Sequence, residues 1–150
     1  MRMSQVRVLP PEPNLTPSSS HSIGNLSQAK VWARLIERDY RVFAPIGDGD
    51  QIDLIMIPPG SSTPSRVQVK TGRLQDGAIS FATCTSNWRS LEKIAYDEID
   101  YFAVYCPETE SVYLIPFSET PQKTKATLRI DPAGNGMTHR IRWAKDYEIK

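Results

Sequence analysis

Apolar and charged residues follow a helical period in the first strongly patterned segment, which covers residues 25–40. At about 3.6 residues per turn, the apolar side chains share one arc of the helix and the charged side chains occupy the rest. The apolar set is Ala29, Val31, Trp32, Ala33, Leu35, Ile36 and Tyr40; the charged set is Lys30, Arg34, Glu37 and Arg38. Asn25 or Ser27 could cap this predicted helix. Gln28 breaks the pattern, because it is a polar residue on the apolar arc.

Beyond Tyr40 the pattern changes to short apolar runs that turn-forming residues separate, which is typical of strands. Predicted strands cover residues 41–45, 51–57, 66–70, 78–84, 101–105, 112–116 and 127–130, and residues 90–96 are interpreted as a short helix. The runs 101–105 and 112–116 are predicted to form a hairpin. A helix followed by a mixed sheet with little additional helix predicts the α/β (α+β) class, with the N-terminal helix packed on the sheet.

Residues 1–21 are predicted to be a flexible tail outside the folded domain, which then covers residues 22–150. This segment contains four prolines and a run of three serines, so it favours neither a helix nor a central strand. It could serve as a linker or as an arm that becomes ordered on a partner.

Composition sets limits on the function. The chain has 150 residues, of which 39% are hydrophobic and 23% charged, as expected for one globular domain. Its net charge is only +1, so contacts with nucleic acid would need a local basic surface or several subunits. We expect Cys84 and Cys106 to be buried free thiols in a reducing cytoplasm. Their spacing and that of the two histidines do not predict a zinc site. We also expect neither a membrane span nor a signal peptide.

Three residues carry the strongest chemical signal. Gln68 and Lys70 project from the same face of one predicted strand, because side chains alternate along a strand. Asp53 is a lone carboxylate in an apolar strand, where burial is costly unless a cation or hydrogen bonds compensate. If the two strands pair, an acid, an amide oxygen and an ammonium group meet in one cleft, which the Gln28 side of the helix would cover.

This set suits hydrolysis of a phosphodiester. Asp53, the amide oxygen of Gln68 and the backbone carbonyl of Val69 are oxygen ligands of the kind that Mg²⁺ prefers, and Mn²⁺ could substitute for it. A bound metal activates water and stabilises charge on the phosphate. Lys70 would orient or help to deprotonate that water. The same residues also permit simpler interpretations. Asp53 could form a salt bridge within the sheet, Gln68 and Lys70 could form an ordinary strand surface, and Gln28 could satisfy a buried backbone group.

The motifs around these residues resemble the PD-(D/E)XK nuclease superfamily. Within it, they are most similar to the small homing endonucleases associated with bacterial group I introns, whose fold is related to that of Holliday-junction resolvases. The resemblance covers roughly residues 22–148, and it rests on segments 23–30 (IGNLSQAK), 45–48 (PIGD), 52–55 (IDLI), 66–72 (RVQVKTG), 99–105, 112–116 and 142–147. The resemblance implies a restriction-endonuclease-like fold and a magnesium-dependent endonuclease that makes a double-strand break at a specific site.

The resemblance also assigns roles within the site. Asp53 corresponds to the metal-ligand aspartate, Lys70 to the family lysine, and Gln68 occupies the position of the second acid. Gln28 departs from the pattern, because relatives tend to carry a glutamate there. Asp53 is then the only anionic side chain at the matched positions. We expect weaker metal binding than in relatives that have the glutamate, or an inactive protein.

DNA contacts and assembly are predicted in less detail. Arg66, Arg73, Arg89 and Lys93 are suited to phosphate contacts, and Arg73, Gln75 and Asn87 to base edges. A C-terminal basic cluster (Arg140, Arg142, Lys145) is a second candidate surface. The resemblance suggests a homodimer or homotetramer on a long pseudo-palindromic double-stranded site. A structure-specific junction-resolving nuclease and a cleavage-deficient DNA-binding protein on the same fold are the alternatives.

Overall fold

One helix packs against a mixed five-stranded sheet in the computed structural model, which describes residues 19–47, 49–86, 90, 92–120 and 124–150. The elements are α1 (Ser20–Glu37), β1 (Arg41–Phe43), β2 (Leu54–Ile57), β3 (Ser65–Thr71), β4 (Arg73–Gln75), β5 (Ala78–Ala82), β6 (Cys84–Ser86), β7 (Lys93–Ala95), β8 (Tyr101–Cys106), β9 (Ser111–Pro116) and β10 (Lys125–Arg129). The main sheet has the order β1-β2-β3-β8-β9, in which β3 and β8 are parallel and the other neighbours antiparallel. The predicted fold class is confirmed.

Two smaller sheets complete the fold. Strands β10, β5 and β4 form a three-stranded antiparallel sheet, and β6 and β7 form a separate antiparallel pair. Single 3-10 turns follow β9 (Phe117–Glu119) and precede the C-terminus (Ala144–Asp146). Among the described residues, no helix has the length and apolar character needed to cross a membrane.

The predicted start of α1 was wrong. Ser19, rather than Asn25 or Ser27, is the N-cap, because its hydroxyl oxygen accepts a hydrogen bond from the backbone N–H of Ser22 at 3.1 Å. The helix therefore includes Ser20 and His21, which had been assigned to the tail. The apolar pattern did not reveal this extra turn because its residues are mostly polar. The predicted tail at residues 1–18 lies outside the described residues.

The buried face of α1 is also narrower than the apolar pattern predicted. Ser27, Val31 and Leu35 are buried, one turn apart, whereas Ala29 and Ile36 are exposed. A helix that contacts a single sheet buries one i, i+4 row and leaves its flanks in solvent. Each fully buried Val or Leu side chain in this row contributes about 1.5–3 kcal/mol to folding.

Strand β8 forms the centre of the fold. It pairs with β3 on one side and β9 on the other, and its side chains alternate between the two faces of the sheet. Ala103 and Tyr105 join the cluster under α1, while Phe102 and Val104 join the cluster under the three-stranded sheet. Because both faces are covered, β8 is a continuous apolar run rather than an alternating one.

The chain passes from the main sheet to the three-stranded sheet at Gly72. Its N–H donates to the Tyr105 carbonyl oxygen at 2.8 Å. A Cβ at this position would lie 2.7 Å from Ile79 Cγ2 and 2.9 Å from Val104 Cγ1, which is closer than real Cβ contacts. Glycine is therefore required here, directly after β3, because the three strands approach so closely.

Several local predictions can be compared with the structure. The hairpin formed by β8 and β9 is confirmed, and the strand predicted at 127–130 corresponds to β10. The short helix predicted at residues 90–96 is wrong, since 93–95 form β7, which pairs with β6. Cys106 is a buried free thiol as expected, but Cys84 is only partly buried, because it lies in the short β6–β7 pair rather than in a core strand.

Candidate active site

Asp53 lies directly before β2, where the register with β3 places it beside Gln68 and Val69. Its backbone N–H donates to the Val67 carbonyl at 2.9 Å, so the pairing of Leu54 with Val67 extends by one residue. The Asp53 Oδ2 atom accepts hydrogen bonds from the Val69 N–H at 2.7 Å and from Gln68 Nε2 at 2.6 Å. The predicted pairing of these strands is therefore present.

Burial makes the Asp53 carboxylate costly to ionise. Desolvation is the largest influence and raises its pKa above the ordinary value of 3.8. The hydrogen bond from Val69 and the positive charge of Lys70 lower the pKa, and the negative charge of Asp50 raises it again. The net result is a raised pKa, so the site favours a cation or a proton close to Asp53.

Gln68 occupies an unusual environment for an amide. Its Nε2 lies 2.6 Å from Asp53 Oδ2 and 3.4 Å from the Val69 carbonyl oxygen. Its Oε1 is buried and has no hydrogen-bond partner among the described residues. A buried oxygen without a partner is costly, and strain, a catalytic role, or a bound water or ion can account for it. A half-turn of the amide would exchange the two atoms and direct the oxygen at the same neighbours.

The donor set suits a hard divalent cation. Asp53, Gln68 Oε1 and the Val69 carbonyl offer only oxygen atoms, which are the ligands that Mg²⁺ and related ions select. The unsatisfied Gln68 oxygen is the observation that favours such an ion here. In the described part of the chain, no group of three or more His, Cys, Asp or Glu side chains has the arrangement of a metal site. A cation would therefore be held by one carboxylate together with neutral oxygens.

Lys70 is fixed by a residue that the sequence did not identify. Its Nζ donates a hydrogen bond to the Tyr96 hydroxyl oxygen at 2.6 Å. The Nζ atom is 4.7 Å from the ring centroid. The contact is a hydrogen bond rather than a cation–π contact, because Nζ lies much closer to the hydroxyl oxygen than to the ring centroid. Tyr96 lies just after β7, so its hydrogen bond with Lys70 connects the β6–β7 pair to the predicted catalytic lysine.

All of the predicted catalytic and metal-ligating residues line one cleft of about 640 Å³. The lining residues are Ser20, His21, Gly24, Asn25, Ser27, Gln28, Asp53, Gln68, Val69, Lys70, Thr71, Thr85 and Tyr96. Gln28 thus faces the cleft from α1, as predicted. Among the described residues of this lining, Asp53 is the only acidic one and Lys70 is the only lysine or arginine.

A smaller cavity of about 160 Å³ adjoins the cleft and brings Asp50 near Gln28 and Asp53. Asp50 was missed in the sequence analysis, although it precedes Asp53 by only three residues in the GDGDQID segment. Its Oδ1 accepts a hydrogen bond from the Ile52 N–H at 3.1 Å, which stabilises the turn that leads into β2. Asp50 is exposed, and its contribution at Asp53 is electrostatic.

The start of α1 is tied to the end of β3 by a hydrogen bond between Ser27 Oγ and Thr71 Oγ1 at 2.6 Å. Ser27 Oγ also donates to the Ile23 carbonyl oxygen at 3.0 Å. Ser27 is almost completely buried, so these contacts satisfy a polar group inside the core. They also place Gln28, the next residue, at the border of the cleft.

Three of the predicted DNA-contacting residues are described, and they lie outside the lining of this cleft: Arg66, Arg73 and Gln75. The Arg66 guanidinium makes two hydrogen bonds to the Asp100 carboxylate, at 3.1 and 2.9 Å, and this pair holds the pKa of Asp100 below its ordinary value. Arg73 lies 3.8 Å from Glu108, and Gln75 is exposed on β4. Asn87, Arg89 and the side chain of Lys93 lie outside the described residues. Arg66 is thus paired with Asp100 at the surface, where its side chain remains 45% exposed, and its contact with DNA phosphate stays a prediction.

The second predicted basic surface is also partly engaged. Arg142 Nε donates to the Glu119 carbonyl oxygen at 2.6 Å, whereas Arg140 and Lys145 are exposed. Arg142 therefore helps to hold the C-terminal segment against the 3-10 turn that follows β9.

A helix covers a mixed sheet, and an aspartate and a Gln-x-Lys pair meet on adjacent strands, which is the arrangement that the resemblance to PD-(D/E)XK nucleases implies. The family model described as PD-(D/E)XK endonuclease matches residues 18–150, so the chain belongs to that family. The match begins just before the observed N-cap of α1. Membership confirms the predicted superfamily and indicates an endonuclease that acts on DNA with divalent metal ions.

The fold is similar to that of a bacterial homing endonuclease, I-Ssp6803I. The two structures superpose with a TM-score of 0.62 over 87% of each chain, at 18% sequence identity. At that identity the likeness establishes the shared fold and nothing more specific. Among curated protein sequences, none matches the chain.

Proposed function

We propose that the protein is a site-specific, magnesium-dependent endonuclease of the homing type that cuts both strands of double-stranded DNA. The observation that carries the proposal is the direct contact between Asp53 and Gln68, with Lys70 in the same cleft. The family supplies the nuclease class. The likeness to a homing endonuclease over 87% of both chains supports the homing type.

The candidate catalytic and metal-binding residues have different proposed roles in the cleft. Asp53, Gln68 and the Val69 carbonyl would hold Mg²⁺, for which Mn²⁺ could substitute. When bound, the metal ion supplies Lewis-acid activation of water and offsets phosphate charge. The Lys70 ammonium binds a non-bridging phosphate oxygen or orients the attacking water. Gln28, from α1, would hydrogen-bond groups that enter the cleft.

The strand geometry supports this division. Asp53 Oδ2 is fixed by a backbone N–H as well as by Gln68, so the carboxylate is oriented before any ligand arrives. Groups that are already in place for the transition state lower the barrier more than groups that must reorganise. The Ser27–Thr71 contact keeps the helix that carries Gln28 in register with the strand that carries Lys70.

We further propose that the active form is a homodimer or homotetramer on a long pseudo-palindromic site, in the bacterial cytoplasm. The chain has a net charge of only +1 and one small cleft, so one copy can contact only a short stretch of DNA. A two-fold assembly would present two clefts to the two strands, which a double-strand break requires.

One observation favours a second candidate, a DNA-binding protein that does not cut. Both Gln28 and Gln68 are neutral, so Asp53 is the only carboxylate that the structure describes in the cleft lining. A single carboxylate compensates less of the charge of a divalent cation than two or three would. If the metal does not bind at cellular concentrations, the fold could retain DNA binding alone.

Cleavage assays separate these candidates. A library of random double-stranded DNA is incubated with the protein and Mg²⁺, then with Mn²⁺, and cut ends are captured and sequenced. We expect one enriched long site for the protein, and faster cutting by Gln28→Glu. If neither protein cuts any DNA while both bind it, the enzyme proposal is wrong. Cutting of four-way junctions regardless of sequence would instead support a junction-resolving nuclease.

The site assignment has its own test. We expect Asp53→Ala to abolish cleavage and to leave DNA binding largely intact, because Asp53 acts on the metal rather than on the DNA surface. Added Mg²⁺ or Mn²⁺ should raise the Tm of the wild type and not of Asp53→Ala, since a ligand stabilises only the fold that binds it. Asp97→Ala, at an exposed carboxylate outside the cleft lining, is the matched control. Retained cleavage by Asp53→Ala would contradict the assignment.

A further inference from the structure

Tyr96 lies at the cleft with a side chain that is only 6% exposed. Its ring packs edge-on against Phe102 of β8, with centroids 5.7 Å apart and an interplanar angle of 80°. Edge-to-face pairs of this kind contribute to stability and restrict the ring to one orientation. The hydroxyl of Tyr96 is therefore presented from a fixed ring.

That hydroxyl contacts the predicted catalytic ammonium. Lys70 Nζ donates to Tyr96 Oη at 2.6 Å, which is short for a hydrogen bond and typical of one that a charged donor strengthens. A lysine side chain has four rotatable bonds and would otherwise sample many positions. One strong contact to a rigid acceptor removes much of that freedom.

We propose that Tyr96 is a positioning residue that holds the Lys70 ammonium at its place in the cleft. The inference rests on the proposed function, because it assigns Tyr96 a role through the lysine of that reaction. Tyr96 does not itself contact the scissile phosphate in this scheme. It accepts a hydrogen bond from Lys70 and so fixes the distance of the ammonium from Asp53 and Gln68.

The placement of Tyr96 in the chain gives the contact a second consequence. Tyr96 directly follows β7, and β7 pairs with β6, which carries the cleft residue Thr85. The position of the β6–β7 pair therefore determines where the Tyr96 hydroxyl lies. If the β6–β7 pair moves, the Tyr96 hydroxyl moves with it, and the hydrogen bond then shifts the Lys70 ammonium. Lys70 itself lies on β3 of the main sheet.

Tyr96→Phe is the variant that tests the proposal, because it retains the ring and its contact with Phe102 and removes only the hydroxyl. Tyr113→Phe is the matched control. Tyr113 is 3% exposed, its hydroxyl is hydrogen-bonded to Thr109 Oγ1 at 3.1 Å, and it does not line the cleft. Both variants lose one buried hydroxyl contact, so a general effect on folding should appear in both.

Two readouts are expected to separate the variants. The single-turnover cleavage rate of Tyr96→Phe should fall about tenfold, while its DNA affinity stays within about twofold of the wild type. A slower reaction with unchanged binding indicates that a catalytic group has lost its position. Tyr113→Phe should retain the wild-type rate. In a Lys70→Met background, Tyr96→Phe should cause no further loss, because two residues that act through one another are not additive.

A labelling experiment tests the contact itself without cleavage. An amine-reactive reagent applied to the full chain, followed by peptide mass spectrometry, should modify Lys70 faster in Tyr96→Phe than in the wild type or Tyr113→Phe. Equal labelling in all three proteins overturns the inference. Unchanged cleavage by Tyr96→Phe, from a wild type that cuts, also overturns it and leaves the proposed function intact. If no protein cuts but labelling of Lys70 increases, the proposed function fails while the contact between Tyr96 and Lys70 is supported.

Discussion

Replacing Asp53 with asparagine should make the metal-free protein more stable at neutral pH, although it removes the central residue of the site. Asparagine has nearly the same shape as aspartate, and its Oδ1 can accept the same hydrogen bonds from Val69 and Gln68. What changes is the charge. Desolvation raises the pKa of Asp53 above 3.8, which means that the folded protein prefers the neutral form at this position.

The magnitude follows from opposing contributions at this position. The two hydrogen bonds lose the strengthening that a charged acceptor gives, and Lys70 loses a nearby opposite charge. Removal of a partly buried charge outweighs these losses, because burial is the largest influence on the pKa of Asp53. Single stabilising substitutions are commonly worth about 0.5–2 kcal/mol. We expect a gain of about 1 kcal/mol, which for a chain of this length raises Tm by about 2–4 °C.

The gain should depend on pH in one direction. Folded Asp53 retains its proton at pH values where the unfolded chain has already released it. The wild type therefore loses stability relative to the variant as the pH rises from 3.8 through the raised folded-state pKa. Above that window the difference is constant, and below pH 3.8 it disappears, because Asp53 is then neutral in both states.

Urea unfolding of the metal-free wild type and Asp53→Asn, followed at several pH values between 3 and 8, measures this difference. Asp97→Asn is the control, since it neutralises an exposed carboxylate next to Tyr96 in sequence. It should show no comparable gain. If Asp53→Asn is less stable than the wild type at pH 7, or if the difference is the same at pH 3.5 and pH 7, the reasoning about desolvation is refuted.

Three further substitutions test the fold around the site by urea unfolding. Gly72→Ala should lower the free energy of unfolding by about 1–3 kcal/mol, because the added Cβ would collide with Ile79 and Val104. An unchanged free energy of unfolding would show that the strands can move apart there. Asp39→Gly should raise the free energy of unfolding by up to about 1 kcal/mol, because Asp39 follows the C-cap Arg38 of α1 with a φ of 61°; a decrease would contradict this. Leu35→Ala should cost about 2–5 kcal/mol at a fully buried site, and a cost below about 1 kcal/mol would refute the assigned helix contact.

The strands that carry the candidate site could be predicted from sequence because their pattern is local. Gln68 and Lys70 share a face by strand alternation, and Asp53 is an unusual carboxylate in an apolar run. The pairing that brings them together follows from the β2–β3 register, which the Leu54–Val67 contact under α1 stabilises. Each step needed only the period of a strand and the cost of a buried charge.

Other features could not be predicted in this way. The first turn of α1 is polar, so its start depended on the Ser19 cap rather than on periodicity. Tyr96 and Lys70 are 26 residues apart in sequence. Tyr96 is brought to the cleft by β7, which forms only by pairing with β6. In the sequence, Tyr96 is one aromatic residue in a segment whose pattern predicted a short helix, so nothing there indicated a contact with Lys70. The ion pair between Arg66 and Asp100 joins residues 34 positions apart, so it depends on tertiary structure rather than on a local pattern.

The neutral residues at positions 28 and 68 have a physical consequence that links stability to chemistry. A carboxylate at either position would add a like charge near Asp53 and raise its pKa further, which would increase the cost of ionising the cleft without a ligand. Glutamine avoids that cost, but with Asp53 as the one carboxylate described in the lining it leaves one of the two charges of a divalent cation uncompensated. Phosphate oxygens can supply the missing negative charge. A cleft of this composition therefore favours a cation most when DNA is present, so that metal binding and substrate binding reinforce each other.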